Sequence, residues 1–166
     1  KMKALFITLK ELKRKSIIDG NLDQDKLIQF VEVAQDTYIQ TQLGTKLYDQ
    51  LQYEVINSSV TTVNQTLIDT YIKPMLIWYS QATYIPYAAF QISNGGIYKH
   101  RSENSDSATQ EEIDSLVDQA KITAEFYTQR FIDFMDQNSS DYPLYTASQD
   151  GGMNPERDQN FTGWVL

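Results

Sequence analysis

Apolar residues recur along this chain at helical spacing, and polar residues gather between the apolar runs into turns and loops. Leu27, Ile28, Val31, Ala34 and Tyr38 form one stripe, which predicts a helix over residues 23–41. Phe30 and Val33 lie off that stripe, so a second face is expected to be covered as well. Gly44 is placed to end this helix and Thr45 to cap the next, over residues 46–56, where Leu47, Leu51 and Val55 repeat every four residues. Residues 57–64 read as a polar connector, with Asn64 as the cap of a long helix reaching residue 92. Ile68, Tyr71, Met75, Trp78, Ala82, Ile85 and Ala89 make its main stripe. Leu67, Leu76, Ile77, Tyr84, Tyr87 and Phe90 spread apolar surface round the rest. A helix apolar on most sides belongs at the centre of a fold or between subunits. Pro74 and Pro86 each lack an amide donor and are expected to kink or split it.

Residues 93–108 read as a polar loop. Thr109 and Glu112 then make a capping box, and Glu111 adds favourable charge at the helix start. Ile113, Leu116, Val117, Ala120, Ala124, Tyr127, Phe131 and Phe134 follow at helical spacing, with Ile122 and Phe126 on the opposite face. Periodicity stops at Asn138. Before the first long helix, residues 4–9 predict a strand or an extended arm, and Asp19-Gly20-Asn21 a turn. The fold class predicted is all-α: a compact bundle of about four helices over 23–138, an N-terminal arm and turn over 1–22, and an irregular C-terminal tail over 139–166. The tail carries Tyr142, Tyr145, Phe161 and Trp164; buried aromatics are common interface anchors, and the alternative is a strap laid across the chain's own domain.

Charge changes this picture more than composition does. The 166 residues have a net charge of −8. Residues 1–15 hold six basic residues against Glu11, a local +5, which leaves −13 for the remaining 151. An acidic body repels nucleic acid, so duplex binding by the body is disfavoured. Lys13, Arg14 and Lys15 mark the basic flank as a contact candidate. No cysteine is present, which excludes disulfides and thiolate metal sites. The apolar run from Tyr71 to Ile92 is interrupted by Lys73, Ser80, Gln81, Gln91 and two prolines, so no membrane span is expected.

The residues give no catalytic constellation. His100 is the only histidine and sits between Lys99 and Arg101, where positive charge opposes its protonation. Asp19, Asn21, Asp23 and Asp25 alternate like a calcium loop. However, Gln24 stands where the loop needs Gly and Phe30 where it needs a bidentate Glu. Gly95-Gly96 lacks a phosphate-loop frame. No enzyme activity, metal or cofactor is therefore expected.

The stretch Leu9–Tyr48, LKELKRKSIIDGNLDQDKLIQFVEVAQDTYIQTQLGTKLY, orders its elements in a recognisable way: Leu9, Leu12 and Lys13; Ile17-Ile18-Asp19; Asp23 and Asp25; Ala34-Gln35-Asp36; Leu43-Gly44-Thr45. This resembles the N-terminal half of head–tail connector (adaptor, or neck-ring) proteins of tailed bacteriophages, most like those of crAss-like and other phages of gut Bacteroidetes. The resemblance implies a structural virion protein, made in the host bacterial cytoplasm and placed at the portal vertex. It implies a homo-oligomeric ring, commonly of twelve subunits, with the portal protein and an adjacent neck or tail ring as partners. DNA would pass through the lumen without specific binding, and no membrane would be involved. Interface residues expected on this reading are Lys13, Arg14, Lys15, Ile122, Phe126, Tyr142, Tyr145, Phe161 and Trp164, with the loop from Ser93 to Ser107 facing DNA or the next ring. A helical protein–protein binding module of non-viral origin is the alternative.

Overall fold

The structure is a computed structural model describing residues 3–18, 24–88, 90–93, 96–99 and 108–157. Its class is helical, and the described helical segments join into six rods. They are α1 (Leu9–Lys15); α2 (Gln24–Ala34), which continues through a π-turn (Gln35–Ile39) into α3 (Gln40–Leu43); and α4 (Thr45–Ile56). After these come α5 (Thr62–Leu67), which continues through a second π-turn (Ile68–Ile72) into α6 (Lys73–Ala88); α7 (Gln110–Gln137); and α8 (Pro143–Thr146). A short antiparallel hairpin, β1 (Phe90–Ser93) with β2 (Gly96–Lys99), lies between α6 and α7.

The two π-turns change which residues face inward. Each widens the helix by one residue per turn, as when the Lys73 amide reaches back five residues to the Ile68 carbonyl. In the first rod the buried side chains run Leu27, Val31, Ala34, Gln35, Ile39 and Leu43. Strict helical spacing points to Tyr38, but the extra residue turns Ile39 inward instead. Tyr38 is half-buried and stacks on Tyr79 with ring centroids 4.0 Å apart and 4° between planes. Ile28, placed on the core stripe by spacing, is exposed. Pro74 does not split its rod. It follows the second π-turn with one residue, Lys73, between, where the wider turn accommodates a residue with no amide donor. Pro86 lies two residues before the end of α6, so the helix stops at Ala88 and not at 92.

α6 is the central helix. Met75, Leu76, Ile77, Tyr79, Ser80, Gln81, Ala82 and Ile85 are all buried, and it packs against α2, α7 and the first π-turn. α7 begins at the expected box: the Thr109 side chain accepts from the Glu112 amide and the Glu112 carboxylate accepts from the Thr109 amide. It buries Ile113, Ala120, Ala124, Thr128, Phe131, Ile132 and Met135. α5 starts three residues earlier than the reading of Asn64 as its cap: Thr61 is the cap and accepts from the Asn64 amide.

Both chain ends belong to the body over their described residues. Phe6, Ile7 and Leu12 are buried, and so are Tyr142 and Tyr145. Residues 139–157, separated as a tail on the sequence, pack across the start of α4. The Thr45 amide donates to the Met153 carbonyl and the Met153 amide returns a bond to the Thr45 hydroxyl. The Lys46 amide donates to Gln149 Oε1 at 2.8 Å. Thr45 is thus the first residue of α4, and Gln149, from over a hundred residues later, serves the cap role assigned to it. Gly44 sits between α3 and α4 at φ +73°. A Cβ there would meet Pro155 Cδ at 2.7 Å, so this position needs glycine both for its backbone and for the closeness of the strap.

Candidate functional site

The most specific internal construction is the seat of the N-terminal segment. Three glutamines that are buried or nearly so reach its main chain from three different elements. Gln35 Oε1 accepts from the Phe6 amide at 2.8 Å, and its Nε2 donates to the Ala4 carbonyl at 2.9 Å and the Tyr48 hydroxyl at 3.1 Å. Gln52, on α4, accepts from the Ala4 amide and donates to the Ala4 carbonyl, both at 2.8 Å. Gln81, on α6, accepts from the Ile17 amide at 3.1 Å and donates to the Ile77 carbonyl. A segment outside a sheet has no ladder partner for its buried backbone, and these side-chain amides supply one. Phe6 meets Tyr48 edge-on with centroids 5.6 Å apart. Burial pushes the Tyr48 hydroxyl far above its ordinary range, and it donates to Asp36 Oδ1.

Beside this seat opens a cleft of about 730 Å³, lined by Lys3, Asp36, Tyr48, Asp49, Gln52 and Tyr53 among others. Lys3 forms an ion pair with Asp36 at its edge. The lining mixes one cation, two carboxylates and aromatic surface. Among the described residues no group of three or more acids or histidines is placed to hold a metal.

The perturbed carboxylates outside the cleft have structural partners. Burial opposes ionisation of Glu54, but hydrogen bonds from Asn64, Gln50 and the Thr61 amide outweigh it and hold its carboxyl below the usual range. Glu54 thereby ties α4 to the start of α5. Burial likewise opposes charge on Glu11, Asp69 and Lys73, and their mutual pairing overrides it, lowering both acids and raising the lysine. Lys73 Nζ lies 3.2 Å from Glu11 and 2.6 Å from Asp69, which fastens α1 to the rod below it.

The contact candidates from the sequence divide into three groups. Tyr142 and Tyr145 are core residues: Tyr145 meets Phe131 edge-on, and Tyr142 meets Phe134 edge-on and donates to the Val63 carbonyl. Their periodicity was hidden because they lie on an irregular strap. Lys15 pairs with Glu11 at 3.1 Å, whereas Arg14 is exposed and Lys13 is half-buried with an interaction of its own. Ile122 and Phe126 are 58% and 60% exposed on α7. Phe161 and Trp164, His100, and most of the stretch Asp19–Asp25 lie outside the described residues. Of the 93–107 loop, residues 93 and 96–99 lie in the β-hairpin, and the others lie outside the described residues. The sequence reading missed the three glutamines, because a polar residue is ordinarily assigned to the surface.

Among the described residues no helix is long and apolar enough to cross a membrane. Residues 39–154 match the model of a family described as "Family of unknown function (DUF6712)". No curated protein and no solved structure matches the chain.

Proposed function

The chain belongs to that family of unknown function, DUF6712, and we propose that it is a structural subunit of a tailed-phage neck. On this reading it forms a ring between portal and tail, extends the DNA channel and docks the next tail component. The four-helix bundle anticipated for such a subunit corresponds on this reading to the rods over 24–43, 45–56, 62–88 and 110–137.

The observation that carries the proposal is the outer side of α7. Its inner side fills the core, yet its outer side presents Ile122 and Phe126 beside the carboxylates of Asp114 and Asp118. Large apolar side chains held out on a rigid helix favour a protein partner. The strap and arm support the same reading, because residues 4–18 and 139–157 are fixed against the helices in a body suited to repeated packing in a closed ring. A net charge of −8 suits a channel wall that DNA passes without sticking.

Electron microscopy of the native particle, or of the chain mixed with candidate portal protein, tests this directly. A ring seated beneath the portal is the expected result. A particle whose neck contains no copy of the chain refutes it. So does a ring whose lumen is lined mainly by Lys and Arg, for the channel part of the proposal.

A further inference from the structure

The outer row of α7 is acidic over its N-terminal half. Asp114, Asp118, Ile122, Phe126, Arg130 and Asp133 recur at spacings of four, closing with a step of three, and are all exposed. Arg130 is the one cation of the row and lies over the Tyr127 ring, and Lys121, the other cation of this helix, stands to the side. α7 as a whole has seven acids against these two.

The chain carries a surface of the opposite kind elsewhere. On α1, Lys10 and Arg14 are one turn apart and both exposed, and neither is in an ion pair among the described residues. Ile17 follows them, 65% exposed, with its main chain pinned by Gln81. The rigidity matters, since a pre-ordered basic edge loses little entropy on docking. Each surface thus has an exposed apolar centre bordered by charge, with signs that match between the two and clash within each.

We infer that these two surfaces are partners: the α1 edge of one copy docks on the α7 row of the next. The inference rests on the ring reading and names its subunit contact. The occupant of the α7 row is a second copy, because the same chain supplies the complementary charge and the apolar residue to set beside Ile122 and Phe126. A contact between two different patches is heterologous, and it propagates until the rotation closes a ring. A contact between two α7 rows would put like charges face to face and is disfavoured.

Charge reversal gives a test with an internal rescue. One full-length variant carries Lys10→Glu and Arg14→Glu, and the other carries Asp114→Lys and Asp118→Lys. All four positions are exposed, and circular dichroism checks that both variants keep their helices. In sedimentation velocity the wild-type chain associates, more strongly at low salt than at high. Each variant alone associates at least about tenfold more weakly, since like charges now meet. An equal mixture recovers association, because each variant's altered surface meets the complementary altered surface of the other and its native surfaces also meet. Ile122→Ser with Phe126→Ser weakens association without changing its salt dependence. The inference is overturned if the mixture stays dispersed, if the single variants associate like wild type, or if wild type is monomeric at millimolar concentration. In each of those cases a ring seen on the particle leaves the neck reading standing, with a different contact. No ring and no rescue together remove both.

Discussion

Replacing Gln35 with alanine removes more than its surface position in the sequence would predict. The side chain is fully buried and makes three hydrogen bonds, to the Phe6 amide, the Ala4 carbonyl and the Tyr48 hydroxyl. At about 1 kcal/mol net for each bond, the direct loss is roughly 3 kcal/mol. The Phe6 amide is left buried with no acceptor, and a small cavity opens, so the total is about 3–5 kcal/mol. Gln52→Ala removes two bonds, both to Ala4, where the surroundings are less buried, and should cost about 1–2 kcal/mol. Urea denaturation followed by circular dichroism measures both. With an m-value of about 2 kcal/mol/M, Gln35→Ala shifts the midpoint down by about 2 M. Amide hydrogen exchange adds a local readout: the Phe6 amide loses protection in the Gln35 variant, while amides in the middle of α6 keep theirs relative to the lowered global stability. A cost below about 1 kcal/mol, or an unchanged Phe6 amide, would show that the arm is not held by this side chain.

Gly44→Ala forces a Cβ into a backbone at φ +73° and 2.7 Å from Pro155, and a thermal melt should show a loss of about 2–4 kcal/mol. Tyr145→Ala empties a fully buried site against Phe131 and should cost about 3–5 kcal/mol, measured the same way; a nearly neutral result would make residues 139–157 a detachable tail after all. Glu54 has a folded-state pKa below its ordinary value, so its contribution is complete above the unfolded-state pKa and disappears as pH falls through the folded one. Glu54→Gln should therefore cost about 1–3 kcal/mol near neutrality and flatten the loss of stability with acid, as read from melts across pH 3–7.

The parts of the fold that were legible on the sequence are those that obey local rules. The capping box at Thr109 fixes the start of α7, and the repeat of Leu47, Leu51 and Val55 fixes α4, because caps and stripes act within a few residues. The register inside the first rod was legible only as far as Ala34. A π-turn leaves no mark in apolar spacing beyond a slip of one residue, which is why Ile39 is buried in place of Tyr38. The hairpin has a signal in the sequence: Asn94-Gly95 lies between Ile92 and Ile97, and this dipeptide favours a two-residue turn. The candidate contact residues fared differently with context. Ile122 and Phe126 stand out because α7 is regular enough to define an outside. Tyr142 and Tyr145 gave no such cue, since an irregular segment has no predictable inside.

The same physics explains why the chain ends were the hardest to place. Apolar composition can indicate that Phe6, Ile7, Tyr142 and Tyr145 seek burial, but it cannot show where an irregular backbone would satisfy its amides and carbonyls once out of water. A strand finds them in its neighbour, and a helix within itself. Here the answer lies in side chains distant in sequence: Gln35, Gln52 and Gln81 for the N-terminal segment, Gln149 and Thr45 where the C-terminal strap meets α4. The four glutamines read as surface in any pattern of apolar and polar positions, yet each bonds main-chain groups of a segment that has no helix or sheet to satisfy them. With residues 4–18 and 139–157 fixed in this way, the contact proposed between copies falls to two pre-ordered surfaces, the acidic row of α7 and the basic edge of α1.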